Sequence, residues 1–254
     1  IDKKIPVAMG ANNPLRRELE IAPSVHGDSG LDGPELPQPK EEALKISAFE
    51  LMAKVVEESD EKITLVPTGP LTNIAIFLLS YPHLKSKIER ISLMGGSAIG
   101  GNWTASAEFN ILVDPEAADI VFKSGIPITM SGLDVTHKAQ VYPEDIEKIK
   151  NQGGKVAVMV GELLEFFIKF HKEICGWEFA PLHDPCAVAW LINPDMFTSK
   201  KLNVQIDIDG EHTTGCTVTD FLNRFKLEPN TDVLLDVDRH QFVDMLIDAV
   251  NKYH

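Results

Sequence analysis

One loop of the sequence concentrates side chains that suit a sugar. The stretch 101–110 reads GNWTASAEFN and contains Asn102, Glu108 and Asn110. An amide offers a donor and an acceptor, and a carboxylate only accepts. Together these groups suit a polyol such as ribose, with its vicinal hydroxyls. The same residue types occur in polar loops where one side chain caps a helix, and the pattern alone favours neither interpretation.

A second candidate is the adjacent pair His183-Asp184, which precedes Pro185 and an apolar segment that predicts a helix. A carboxylate at a helix start usually caps the helix. The pair could instead divide chemical work, with Asp184 holding a hard cation and His183 moving a proton. From the pattern alone, the cap is the favoured interpretation.

A third candidate, His26, lies in a loop with Gly27 and Gly30. Glycines of this kind permit a mobile lid over a site. A lone histidine in such a loop is more often a surface residue, so His26 becomes a functional candidate only in combination with other residues.

Strand and helix signals that could position these residues alternate through the first two thirds of the chain. Compact apolar runs predict strands, whereas apolar residues at helical spacing, or an N-cap followed by proline, predict helices. The predicted strands are 5–7, 63–66, 91–94 and 126–130, and the predicted helices are 43–56, 71–79 and one that opens at Asp114-Pro115. This alternation is typical of the α/β class, with a mostly parallel open sheet flanked by helices.

Polar residues follow three of these strands, at Thr68, Gly95-Gly96 and Asp134. Ligands of parallel sheets bind outside the carboxyl ends of the strands, so we expect the site there.

The last third of the chain has a different pattern. A helix is predicted over 156–174, with Phe167 and His171 four residues apart and therefore on one face. Segments 204–208 and 213–219 predict a small antiparallel hairpin, followed by a strand at 233–237 and a closing helix at 239–253. No linker divides the chain, so 1–254 is predicted to be a single domain.

The formal net charge of −14 argues against a nucleic-acid partner, because phosphate backbones are bound by clustered Lys and Arg. The three cysteines are widely spaced and in no CxxC arrangement, which predicts reduced thiols in a cytoplasmic protein. The sequence contains no apolar run long enough to predict a membrane span.

Taken together, the blocks of this sequence resemble the inosine-uridine type nucleoside hydrolases over nearly the whole chain. The blocks occur in the order and at the approximate spacing of that family. They are Val25-His26-Gly27, Ser29-Gly30-Leu31, Leu65 to Asn73 (LVPTGPLTN), Leu93-Met94-Gly95-Gly96, Gly101-Asn102, Ala107-Glu108-Phe109-Asn110, Asp114 to Ala118 (DPEAA), Gly132 to His137 (GLDVTH) and His183-Asp184-Pro185.

The resemblance implies hydrolysis of the N-glycosidic bond of a ribonucleoside through an oxocarbenium-like transition state, with water activated by one calcium ion. It implies that Asp184 and the Thr68 carbonyl bind calcium, and that His183 protonates the leaving base. The substrate contacts that it implies are His26 in a closing loop, Met94, Asn102, Glu108, Phe109 and Asn110 around the sugar, and Phe167 and His171 at the base. Taken from the residues alone, Phe167 is expected to pack in the core and His171 to be solvated. The resemblance further implies a homodimer or homotetramer in nucleoside salvage.

One departure from the family concerns the Asp-rich stretch DxDxxxDD, which normally follows the first strand and supplies most side-chain calcium ligands. The sequence contains no such stretch, and we expect the chain to be N-terminally truncated relative to the family. A catalytically inactive relative that binds nucleoside or ribose is the alternative. A dinucleotide-dependent oxidoreductase is disfavoured, because no GxGxxG follows a strand. The preference for purine or pyrimidine bases stays open.

Overall fold

A computed structural model of the chain describes residues 4–22, 27, 30–39 and 41–253. His26 lies outside the described residues. The strands are Ala8–Met9 (β1), Leu44–Ser47 (β2), Ile63–Leu65 (β3), Ile88–Met94 (β4), Ile128–Ser131 (β5), Gln140–Val141 (β6), Ala180–Pro181 (β7), Phe197–Ile206 (β8), Thr217–Asp220 (β9) and Thr231–Val237 (β10). The α-helices are Ala48–Glu58 (α1), Thr72–Ser80 (α2), Phe109–Val113 (α3), Pro115–Phe122 (α4), Leu133–Thr136 (α5), Pro143–Lys150 (α6), Gly154–Cys175 (α7), Asp184–Ile192 (α8) and Arg239–Val250 (α9).

The central sheet has six strands in the order β3-β4-β5-β10-β8-β9. Strands β3, β4, β5 and β10 are parallel, and β8 is antiparallel to both β10 and β9. The predicted α/β class with a mostly parallel sheet is therefore confirmed. The predicted antiparallel hairpin is also present, and its two strands belong to the central sheet, with Asn203–Ile206 paired to Thr217–Asp220.

Successive side chains of a strand point to opposite faces of a sheet, and here helices cover the apolar side chains on both faces. Val233 of β10 belongs to an apolar core that α1, α2 and α4 cover, and its neighbour Leu234 belongs to a second core formed with α5 to α9. Both residues are fully buried. Within the described part of the chain, no helix has the length and apolar character needed to cross a bilayer.

The predicted helix 43–56 is wrong in its first part, where residues 44–47 form strand β2. Leu44 and Ile46 alternate with polar residues, and β2 pairs in parallel with β1. The helix begins only at Ala48, since Ser47 and Glu50 form a reciprocal capping box in which the Ser47 hydroxyl accepts from the Glu50 N–H. The strand predicted at 5–7 is displaced to Ala8–Met9.

Most other predicted boundaries lie within a few residues of the observed ones, but the strand predicted to begin at 204 begins at Phe197. Asp114 caps α4 as expected, and its carboxylate accepts a hydrogen bond from the Ala117 N–H at 3.1 Å. The same buried carboxylate accepts from the Thr72 hydroxyl at 2.6 Å and from the Leu15 N–H at 2.9 Å. Asp114 therefore ties α4 to α2 and to the N-terminal segment beside the sheet.

Candidate active site

A cavity of about 760 Å³ lies beyond the carboxyl ends of the parallel strands. All the site residues that the family resemblance implied, and that the structure describes, line this cavity. They are Thr68, Met94, Asn102, Glu108, Phe109, Asn110, Phe167, His171, His183 and Asp184. Residues from distant parts of the chain thus meet where an α/β sheet binds its ligands.

Glu108 closes one wall of the cavity and caps helix α3. Its Oε2 accepts hydrogen bonds from the Gly96 N–H at 2.9 Å and the Ile111 N–H at 3.2 Å, and its Oε1 accepts from the Asn110 N–H at 3.0 Å. The side chain is only 3% exposed. The carboxylate therefore holds the end of β4 against α3, so the cap and the cavity wall are the same residue.

Burial raises the pKa of Glu108 to about 7. The three backbone N–H groups act in the opposite direction because they stabilise the carboxylate, and the charge of Asp184 adds a small further increase. Burial is the largest effect, and we therefore expect Glu108 to titrate near neutral pH and not near 4.5.

Asn110 and Asn102 present complementary groups to the cavity. The Asn110 Nδ2 donates to the Met94 carbonyl and contacts the Met94 Sδ, both at 3.2 Å, which leaves its Oδ1 as an acceptor. Asn102 is oriented the other way, since its Oδ1 accepts from the Phe109 N–H at 3.0 Å and its Nδ2 remains as a donor. One acceptor and one donor beside the same cavity suit sugar hydroxyls, which both donate and accept.

His183 and Asp184 lie at the start of α8. The His183 Nδ1 is 2.8 Å from the Thr136 Oγ1, which orients the imidazole against α5. No side chain caps α8, and among the described residues the Asp184 carboxylate takes part in no hydrogen bond or ion pair. The interpretation of Asp184 as a helix cap is therefore wrong.

Desolvation raises the pKa of Asp184 to about 6. By surface area the residue is exposed. Both observations hold because its exposed side opens into the cavity, where protein surrounds the carboxylate, and not into bulk solvent. A cation beside Asp184 would favour the charged form and lower this pKa.

The described residues offer oxygen ligands of the kind that calcium prefers, but fewer of them than calcium usually binds. Asp184 and the Thr68 carbonyl supply oxygen atoms, as calcium prefers, but calcium usually takes six to eight. Within residues 4–22, 27, 30–39 and 41–253 no group of three or more His, Cys, Asp or Glu side chains could hold a metal.

We expect the 254-residue chain to bind calcium with a dissociation constant weaker than about 10⁻⁵ M, because two oxygen donors leave most of the shell to water. Isothermal calorimetry measures this affinity directly. Asp184→Asn should abolish the residual binding, whereas Asp244→Asn on the exposed side of α9 should not change it. Sub-micromolar affinity of the unaltered chain would contradict the expectation.

Part of the cavity lining is aromatic. The Phe167 ring lies edge-on to His171 at 4.3 Å and edge-on to His183 at 6.5 Å. Phe167 is half-buried and borders the cavity, and His171 is only 6% exposed. The expectation of a solvated His171 is therefore wrong. Its ring is packed among aromatic side chains of α7 and the loop that follows.

Sequence reasoning did not single out several aromatic residues of this cavity, among them Trp103, His137 and Trp177. Trp103 lies edge-on to Phe109 at 4.8 Å, and its Nε1 donates to the Glu20 carboxylate at 2.6 Å. Trp103 adjoins Asn102 in the loop 101–110, and His137 ends the GLDVTH block. Their positions beside predicted site residues could therefore have identified both, whereas no neighbouring motif pointed to Trp177.

The chain resembles known proteins over almost its whole length. Residues 1–244 match the family model described as inosine-uridine preferring nucleoside hydrolase. The chain is 56% identical over 250 residues to the pyrimidine-specific ribonucleoside hydrolase RihA of Photobacterium profundum, an alignment that covers 98% of this chain and 81% of that protein. Identity to RihA of Escherichia coli (strain K12) is 54%, with 98% and 80% covered.

Two solved structures have the same fold over almost the whole chain. The purine-preferring ribonucleoside hydrolase from Gardnerella vaginalis gives a TM-score of 0.89 at 32% identity, covering 98% of this chain and 80% of that one. The plant nucleoside hydrolase PpNRh1 gives a TM-score of 0.89 at 30% identity, covering 97% and 80%. The family predicted from the sequence motifs is confirmed, and the chain belongs to the inosine-uridine preferring nucleoside hydrolases.

Proposed function

We propose that this chain hydrolyses the N-glycosidic bond of pyrimidine ribonucleosides, releasing ribose and the free base. The observation that carries the proposal is the cavity itself. It is lined both by the amides of Asn102 and Asn110, which suit sugar hydroxyls, and by His183 and Asp184. The preference for pyrimidines rests on the relatives that are 54–56% identical, which are named pyrimidine-specific.

The proposed reaction passes through an oxocarbenium-like ribosyl cation. Asn102 and Asn110 hold the sugar hydroxyls, and the negative potential of Glu108 and Asp184 stabilises the positive charge that develops on the ribose. His183 donates a proton to the departing base. Calcium is the ion that the resemblance implies, and when bound at Asp184 and Thr68 it would make a water more acidic.

The direct test is a hydrolysis assay of the full chain with uridine, cytidine and inosine, in which released base is measured by chromatography. We expect uridine and cytidine to be cleaved faster than inosine. Release of base from inosine alone would contradict the proposed preference, and release from none of the three would contradict hydrolysis.

Asn110→Ala should reduce hydrolysis of uridine by about tenfold or more, because one lost transition-state contact corresponds to about 1.4 kcal/mol. The matched control is Asn151→Ala, since Asn151 lies on the exposed end of α6 outside the cavity. Rates for 2′-deoxyuridine test the same assignment. If deoxyuridine is cleaved as fast as uridine, these residues do not bind the ribose hydroxyls.

A second candidate function is a relative that binds nucleoside without cleaving it. The short supply of carboxylate ligands among the described residues favours it. The two candidates differ in one measurement. Calorimetric binding of uridine with no release of uracil over hours would support the binding protein, and turnover would exclude it.

The proposed setting is nucleoside salvage in the cytoplasm by a homodimer or homotetramer, as the family resemblance implies. The three free cysteines are those expected in a reducing compartment. Light scattering of the purified chain measures the mass of the particle and tests the proposed assembly.

A further inference from the structure

His171 lies on α7 and His183 directly precedes α8, and two further rings connect them along the cavity wall. The Trp177 ring is stacked on the His171 ring, with centroids 5.7 Å apart and planes 10° apart. The His137 ring lies edge-on to Trp177 at 5.2 Å and edge-on to His183 at 5.8 Å. These separations lie in the range in which aromatic rings attract each other.

The end of helix α7 places Trp177 against His171. Gly176 adopts the left-handed conformation with φ of 70°, which reverses the chain, and the Trp177 N–H then donates to the His171 carbonyl at 3.3 Å. The Phe179 ring is also stacked on Trp177, with centroids 5.2 Å apart and planes 13° apart. Two stacked rings therefore contact Trp177 and restrict its rotation.

The hydrogen bond of His171 shows what this packing controls. Its Nδ1 lies 2.9 Å from the Phe167 carbonyl oxygen. A carbonyl only accepts, so Nδ1 must carry a proton, and the neutral ring then has an acceptor at Nε2. Rotation of the ring would break this bond and exchange the two nitrogens. The stacked Trp177 ring opposes that rotation.

His137 contributes as a neutral ring. Burial lowers its pKa, the nearby His171 lowers it further, and Asp134 only partly opposes these effects. A histidine whose pKa lies below its ordinary value is uncharged at neutral pH. His137 can therefore pack between Trp177 and His183 without adding a charge to the wall.

We propose that Trp177 is a positioning residue for the base end of the cavity. It fixes the orientation of His171 directly and that of His183 through His137. The inference rests on the proposed function, because it assigns these histidines to the side of the substrate that carries the departing base. Trp177 acts through its neighbours and takes no part in proton transfer.

The test compares substrates that differ in leaving group. Trp177→Leu should lower kcat for uridine by about tenfold or more with KM changed less than about threefold, because a misoriented histidine protonates the base poorly. The same variant should lower hydrolysis of p-nitrophenyl riboside less than about threefold, since nitrophenolate departs without a proton. Trp177→Phe keeps an aromatic face and should restore most of the activity on uridine.

Trp190→Leu is the matched control, because Trp190 packs against Arg90 outside the cavity and its loss should leave the ratio of the two rates unchanged. Equal losses on both substrates for Trp177→Leu, or a change in KM alone, would overturn the inference while leaving the proposed hydrolysis intact. A wild-type chain that cleaves neither substrate would instead overturn the proposed function.

A measurement on the histidine itself is independent of turnover. ¹⁵N NMR of the imidazoles should show His171 as the Nδ1–H tautomer in the wild-type chain and as a mixture of tautomers in Trp177→Leu. An unchanged tautomer in the variant would show that Trp177 does not orient the ring, and would overturn the inference even in a chain without activity.

Discussion

Replacing His183 by alanine should slow hydrolysis of natural ribonucleosides by roughly 10²–10⁴, the usual range for loss of a general acid. A pyrimidine anion is a poor leaving group, so a proton must reach the base as the glycosidic bond breaks. His183 lines the cavity, and the Thr136 hydroxyl at 2.8 Å orients its ring. It also adjoins Asp184, which places it beside the sugar that Asp184 is proposed to face.

The substrate p-nitrophenyl riboside distinguishes acid catalysis from positioning. Its leaving group departs without protonation, so His183→Ala should change its hydrolysis less than about threefold. His240→Ala is the control, because His240 is exposed on α9 and lies outside the cavity. Equal losses on the two substrates would mean that His183 positions the sugar or the metal, and that the acid is another residue. His171→Ala should show the same selectivity only if His171 shares the role.

The strands and helices were predictable where the local sequence pattern and the long-range contacts favour the same secondary structure. Asp114-Pro115 is such a case, since the cap and the proline act within one helical turn. Leu44 and Ile46 are the opposite case. With Phe49 and Met52 they satisfy helical spacing, yet residues 44–47 pair with a strand about 36 residues earlier in the chain. A window of a dozen residues carries no information about that partner.

The candidate site was predictable in its residue types but not in their hydrogen bonds. The motifs identified Glu108 and Asp184, but both carried the same alternative interpretation, a helix cap. In the structure the Glu108 side chain caps α3, whereas the Asp184 side chain does not cap α8. The difference depends on where the neighbouring backbone N–H groups point, which follows from the packing of β4 against α3. His171 shows the same limit, because its burial depends on Trp177, which follows the helix, as well as on Phe167 of its own helix.

Glu108→Ala should lower the free energy of unfolding by roughly 3 kcal/mol or more, because three backbone N–H groups lose their acceptor and each unsatisfied group costs about 1–3 kcal/mol. Urea denaturation followed by circular dichroism measures the change. The matched control is Glu50→Ala, since Glu50 accepts from Ser47 in the capping box of α1 but is exposed, so water can replace it. That substitution should therefore destabilise the chain much less than Glu108→Ala does.

The pH dependence of stability provides a second measurement on the same carboxyl. The pKa of Glu108 in the folded protein is about 7, above the ordinary value of 4.5, so folding favours the protonated form. The stability contributed by this protonation is therefore fully present below pH 4.5 and is lost as the pH rises through 7. Glu108→Gln cannot ionise and should not show this loss between pH 4.5 and 7. If the wild-type chain and Glu108→Gln lose stability in parallel over that range, the carboxyl does not titrate above its ordinary pKa, and the three N–H groups fully offset the effect of burial.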